Sequence, residues 1–168
     1  MSYQPTIMAD FKDERLTRLF DYWLSKRDAR QAPRRDDVRP GEIKPYLPIV
    51  QLIDVHRDPL RFKHRLVGTE LVERLGRNVM GKWVDEELYG SATSDVLRQL
   101  TRVAVEARPY RTLASLDYMG RPGYLMEAME LPLLAAEGHV GMLLRAASFF
   151  YGADSLPNGR INEPMAVS

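Results

Sequence analysis

The sequence predicts an α+β fold: a five-stranded antiparallel sheet with helices on one face and an amphipathic helix at the N-terminus. Three observations carry this prediction. An apolar stripe at helical spacing opens the chain. Two short strand patterns follow it, and three longer ones joined by glycine-containing turns come last, with the remaining helical signals in between. Joining the two strand groups edge to edge lays those helices across the sheet, where they would enclose a pocket.

Composition narrows the class. A chain of 168 residues fits one domain with a real core. The 24 basic and 23 acidic residues leave a formal net charge of +1, too little to hold nucleic acid or an anionic membrane by field alone. There is no cysteine, which excludes disulfides, thiolate nucleophiles and cysteine metal sites. The N-terminus lacks the pattern of a signal peptide, and no apolar run is long enough to span a bilayer. A cytoplasmic protein is expected.

The elements follow in order. Residues 1–10 read as a flexible N-terminus. In residues 11–30, Leu16, Leu19, Phe20, Trp23 and Leu24 recur at i, i+3, i+4, i+7 and i+8, which predicts a helix with one apolar face. That face must dock on something, either its own sheet or another protein. Leu16, Leu19, Phe20 and Trp23 are the candidate surface for a homodimer or a regulatory partner. Residues 31–48 carry Pro33, Pro40, Pro45 and Pro48, a density that forbids a long helix and implies an extended connector.

A core over residues 49–150 comes next. "IVQLIDV" (49–55) and "RFKHRLVG" (61–68) read as two strands. By alternation, Phe62, His64 and Leu66 share one face, and Lys63, Arg65 and Val67 the other. Arg65 is then expected to pair with Asp36 or Asp37 as the connector crosses. "TELVERLG" reads as a short helix with Thr69 as N-cap and Gly76 at its stop. "DEELYGSATSDVLRQLTRVAVEARP" holds the longest helical pattern, ended by Pro109. "YRTLASLDYM", "YLMEAMELPLLA" and "HVGMLLRAASFFY" form an antiparallel meander. Residues 151–168 show no periodicity and read as a tail.

The element order, with "LTRLFDYWLSKR", "PRRDDVRPGEIKPYLPIV" and "RFKHRLVGTELVERLGRNVMGKWVDE", resembles the PAS fold. More narrowly, it resembles a bacterial family of small stand-alone PAS-type proteins, with Pro33, Arg35, Asp36 and the segment Arg65–Thr69 carrying the likeness best. The resemblance implies a sensory or regulatory module with a small-molecule cavity and no catalysis. With a single domain, its signal is expected to leave through protein contacts.

One stretch competes with that reading. "LGRNVMGKWVDEE" places Gly76, Gly81 and Lys82 at the spacing of a phosphate-binding loop. A helical segment precedes Gly76 where a strand is needed, Trp83 stands where a hydroxyl would bind magnesium, and acids follow. The glycines are better read as turns between two helices.

Candidate ligand-binding residues are His64, Leu66, Trp83, Leu100, Tyr118, Met126, Met129 and Phe149. They combine one polar group with adaptable apolar and aromatic side chains. No histidine pair has metal-motif spacing, and residues 88–107 contain no histidine of the kind haem-binding PAS domains use. Cysteinyl-flavin photochemistry has no cysteine to use. No cofactor and no metal are expected. An alternative is a filled interaction module. A second is a small isomerase-like enzyme, in which whichever of Glu127 and Glu130 points inward would act as the base.

Overall fold

The structure is a computed structural model describing residues 11–152 and 160–167, apart from the side chain of Tyr118; the expectation for residues 1–10 lies outside these. Asp13 starts the first helix, α1 (Glu14–Lys26), by accepting the backbone N–H of Arg15 at 2.9 Å. Glu14 in the first turn and Lys26 in the last suit the helix dipole. The apolar stripe of α1 is buried: Leu16, Leu19 and Trp23 have no exposed surface, and Phe20 keeps 5%. Trp23 Nε1 donates to the carbonyl of Pro132 at 3.0 Å. These four residues are therefore not a partner surface. Their own sheet takes the face that a second protein would need.

The connector makes two 3-10 turns, Arg35–Asp37 and Lys44–Ile49, and leads into β1 (Val50–His56) and β2 (Arg61–Val67). After α2 (Thr69–Leu75), α3 (Glu86–Tyr89) and α4 (Thr93–Glu106) come β3 (Tyr110–Ser115), β4 (Tyr124–Leu134), β5 (Val140–Tyr151) and β6 (Arg160–Pro164). The cap of α2 is Gly68, one residue before the expected Thr69. What reads in sequence as one long helix is interrupted at Gly90, with φ of 53°, so that α3 and α4 are separate.

All strand pairings are antiparallel, in the order β2-β1-β5-β4-β3-β6, and the β1–β5 pair joins the two strand groups edge to edge. Among the described residues the sheet has six strands, where the sequence predicts five. Residues 160–164, expected as tail, pair with β3, and Met165 runs on into the core beside α1. An open β3 edge exposes N–H and C=O groups that an extended segment can pair with, whatever its hydrophobic pattern.

The two faces of the sheet carry separate cores. Trp23, Phe20, Leu16 and Leu19 pack on Val50, Met129, Leu131, Leu133, Met142, Leu144 and Ala146. On the opposite face, Leu100, Val103 and Ala104 of α4 cover Ile53, Phe62, Tyr110 and Leu143, while Leu71 of α2 packs with Ala114, Met126, Ala128 and Ala147. The central strand β4 is buried without interruption from Leu125 to Leu133, as expected of a strand covered on both sides.

Gly68 locks the connector to this frame. A Cβ built there would lie 2.3 Å from the carbonyl oxygens of Leu47 and Pro48, so the residue is glycine because the backbone passes too close for a side chain.

Candidate functional site

On the face covered by α2–α4, every strand contributes a polar side chain to one belt. Gln51 comes from β1, His64 from β2, Thr112 from β3, Glu130 from β4, Arg145 from β5 and Asn162 from β6. Strand register aligns them, since Arg145 stands opposite both Gln51 and Glu130, and Asn162 stands opposite Thr112. The belt runs between the two apolar clusters of this face, with Tyr110, Leu143 and Ile53 on one side and Ala114, Ala128 and Ala147 on the other.

Contacts along the belt are continuous over most of its length. Asn162 Nδ2 donates to Thr112 Oγ1 at 2.9 Å, and Thr112 Oγ1 donates to Glu130 Oε2 at 3.1 Å. Arg145 Nε lies 3.2 Å from Glu130 Oε1, an ion-pair distance without hydrogen-bond alignment. Arg145 Nη1 reaches Gln51 Oε1 at 3.5 Å. Burial pushes the Glu130 carboxyl above the usual carboxylate range, with Arg145 and Thr112 opposing it.

His64 is 1% exposed, and its Nε2 shares a hydrogen bond with the Tyr89 hydroxyl at 2.8 Å. Burial first, then the positive charges of Arg145 and Arg77, lower its pKa to about 4, so the ring is neutral at neutral pH. Its Nδ1 is buried and has no partner among the described residues. Depending on the tautomer set at Nε2, that atom offers either an N–H or a lone pair.

The sequence-predicted ligand residues divide. His64 lies in the belt, with Leu100 in the cluster under α4 and Met126 and Phe149 in the cluster under α2. Met129 belongs to the α1 core on the other face, because residues three apart on a strand point to opposite sides. Leu66 does not share the face of His64. A bulge pairs Leu52 with Leu66 and Ile53 with His64, leaving Arg65 between them and reversing the alternation. Trp83 neither fills nor covers the belt. It bridges to Lys63 at the outer edge of β2, with the Arg61 guanidinium 3.9 Å from its ring centroid and the His56 ring at 4.9 Å. Tyr118 lies outside the described side chains. Arg65 pairs with Asp54 at 3.2 Å rather than with the connector, where Asp37 is engaged by Arg30.

The two glycine amides of this stretch are already engaged. Gly76 caps α2 with φ of 74°, and Gly81 turns the chain with φ of 80°. Gly81 N–H then donates to the carbonyl of His64 at 2.7 Å and Val84 N–H to that of Phe62 at 2.9 Å. These residues protect the edge of β2 and form no phosphate cradle.

Sequence reasoning missed Gln51, Thr112, Arg145, Asn162 and Tyr89. Two of them carry a visible signal: Gln51 interrupts "IVQLI" and Arg145 interrupts "MLLRAA" in otherwise apolar strands. Glu127 and Glu130 are both 1% exposed, on opposite faces, and each meets an arginine. Glu127 also accepts the Lys12 N–H at 2.8 Å. Among the described residues, no helix is long and apolar enough to cross a membrane.

The chain is similar to the crystal structure of a sensory box sensor histidine kinase from Vibrio cholerae, with a TM-score of 0.47 and 13% identity over 66% of this chain and 88% of that one. No curated protein matches. A family described as PAS domain matches residues 11–145, from the start of the α1 core into β5, and the chain belongs to that family.

Proposed function

We propose that the protein is a non-catalytic regulatory module that takes a small polar molecule as its input and passes its state on through protein contacts. Membership of the PAS family supports the general role. The observation that carries the ligand reading is the polar belt, and within it the buried, unpartnered Nδ1 of His64. A ligand bonded to Nδ1 sets the ring's tautomer and so the direction of the hydrogen bond between Nε2 and the hydroxyl of Tyr89, which sits on α3. Binding would then shift α3 against β2 at the Gly90 junction and change the surface shown to a partner.

Catalysis fits less well. Neither buried glutamate is a water-accessible base, because each is 1% exposed and held by an arginine. A second reading, an interaction module with a filled interior, is favoured by the pairs the belt already makes, Arg145 with Glu130 and His64 with Tyr89.

Native mass spectrometry of the purified full chain separates the two. The ligand reading predicts a bound mass that denaturation releases and that the double variant Glu130→Leu/Arg145→Met lacks while remaining folded. A wild-type spectrum showing only the bare chain, unchanged by incubation with cell metabolite extract, favours the filled module.

A further inference from the structure

A second site lies at the outer end of the belt, where α4 meets β6 and Asn162 faces both. Arg98 and Arg102 stand four residues apart on α4, and Arg160 and Asn162 of β6 point to the same side, opposite Ala114 and Thr112. Together with Gln99 and Asp95 they line a cleft of about 260 Å³. Three guanidinium groups therefore share a small space with one carboxylate, and that carboxylate is already engaged, Asp95 Oδ1 lying 3.1 Å from Arg98 Nη1. Arg102 touches Asn162 Oδ1 at 3.4 Å and lies 5.3 Å from the Tyr110 ring centroid. Arg160 has no hydrogen bond or ion pair from its side chain among the described residues.

Like charges gathered this way repel one another, both along the helix and across to the strand. The arrangement is what an oxyanion would stabilise, because a guanidinium presents paired donors matched to phosphate or carboxylate oxygens. We infer that the α4–β6 cleft binds a small oxyanion, the phosphoryl or carboxylate group of a small molecule, between Arg98, Arg102 and Arg160. Its size suits a compact anion, since sites for drug-sized molecules begin near 300 Å³.

The cleft opens onto the end of the belt. Asn162, touched by Arg102, donates to Thr112, which donates to Glu130. Arg160 is also close enough to favour the ionised form of Glu130. An anion drawn to Arg102 and Arg160 would pull on that chain and weaken their hold on the belt, which couples this site to the interior one. β6 lies beyond residues 11–145, the part matched to the family, so the cleft depends on a segment outside that match. The inference does not rest on the interior ligand proposed above, and either can fail alone.

Isothermal titration calorimetry of the full chain with inorganic phosphate, and separately with succinate, at ionic strength held constant with chloride, tests it. Saturable binding of at least one anion is expected in the millimolar range or tighter. Arg160→Gln and Arg98→Gln should each weaken it at least tenfold, while Arg108→Gln, an exposed arginine outside the cleft, leaves it unchanged. Tighter binding of phosphate assigns a phosphoryl ligand, and tighter binding of succinate a dicarboxylate. Melting temperatures of the variants establish that they fold. The inference is overturned if neither anion binds beyond the chloride control, or if folded Arg160→Gln and Arg98→Gln both bind as tightly as the wild type.

Discussion

The two faces of one sheet are built differently. Under α1 the apolar side chains form a single cluster that includes Leu16 and Ala146, anchored by an indole whose N–H has a backbone partner, and the buried Glu127–Arg111 pair does not divide it. Under α2–α4 the apolar side chains fall into two clusters, with six polar residues between them. A continuous apolar face maximises burial, worth roughly 25 cal/mol for each Å² removed from water. A buried ion pair contributes little net stability, because desolvation offsets the attraction between the charges. The contrast teaches a division of labour: the α1 face holds the domain together, and the other face keeps polar groups poised at the expense of packing.

The sharpest way to break this comparison is at Trp23. Trp23→Ala removes a fully buried ring from the continuous core and leaves a cavity, so a loss of about 3–5 kcal/mol is expected in urea unfolding. The polar face should respond by a different rule. Arg145→Met alone strands the buried Glu130 and should cost about 3–5 kcal/mol, whereas the double variant Glu130→Leu/Arg145→Met should be neutral or stabilising. A double variant as damaged as the single one would make the belt structural and erase the distinction between the faces.

Much of the α1 face was legible, because its signal is periodic. The spacing of Leu16, Leu19, Phe20 and Trp23 predicts the helix and its buried stripe, although spacing alone does not say which surface receives it. The separation of Met126 and Met129 already places them on opposite faces, and grouping them by residue type obscured that. The polar face was less legible for physical reasons. A bulge such as the one at Arg65 leaves no pattern in the strand that carries it. The belt assembles from residues as far apart as Gln51 and Asn162, joined by strand register that a local window does not see. β6 is held by its backbone pairing with β3, which its polar side chains do not announce.

Acidity offers an intermediate test. His64 has a folded pKa lowered to about 4, below the 6.5 of an unperturbed histidine. Between those values the unfolded chain takes up a proton that the folded one refuses. The contribution to stability is therefore complete above pH 6.5, is lost as the pH falls towards 4, and levels off below. Its full span is about 3 kcal/mol. Carboxylates with lowered pKa values, such as Glu70 beside Arg15, also lose stability on acidification, so the histidine term must be isolated by difference. His64→Gln can keep a hydrogen bond to Tyr89 without titrating. Its stability relative to the wild type should improve steadily from pH 6.5 to 4, followed by urea unfolding at each pH. A constant offset between the two proteins would mean that His64 is not held neutral by burial.

The smallest expected effect lies on neither covered face. Arg65 is the bulged residue of β2, its side chain is 60% exposed, and its partner Asp54 also stands opposite Lys63 in the ladder. Removing the arginine leaves Asp54 with a second cation across the strand pair, and an exposed ion pair is worth little after screening and side-chain ordering. Arg65→Ala should therefore cost no more than about 0.5 kcal/mol, with the difference shrinking further at high salt. A loss above about 1.5 kcal/mol would mean that the Arg65–Asp54 pair is shielded from water in solution, since only removal from solvent raises such a pair to that value. The outer surface of the β1–β2 hairpin, which carries Arg61, Lys63 and Trp83 beside Arg65, would then be a third covered face rather than an open one. The two-face comparison survives only if this substitution is nearly silent.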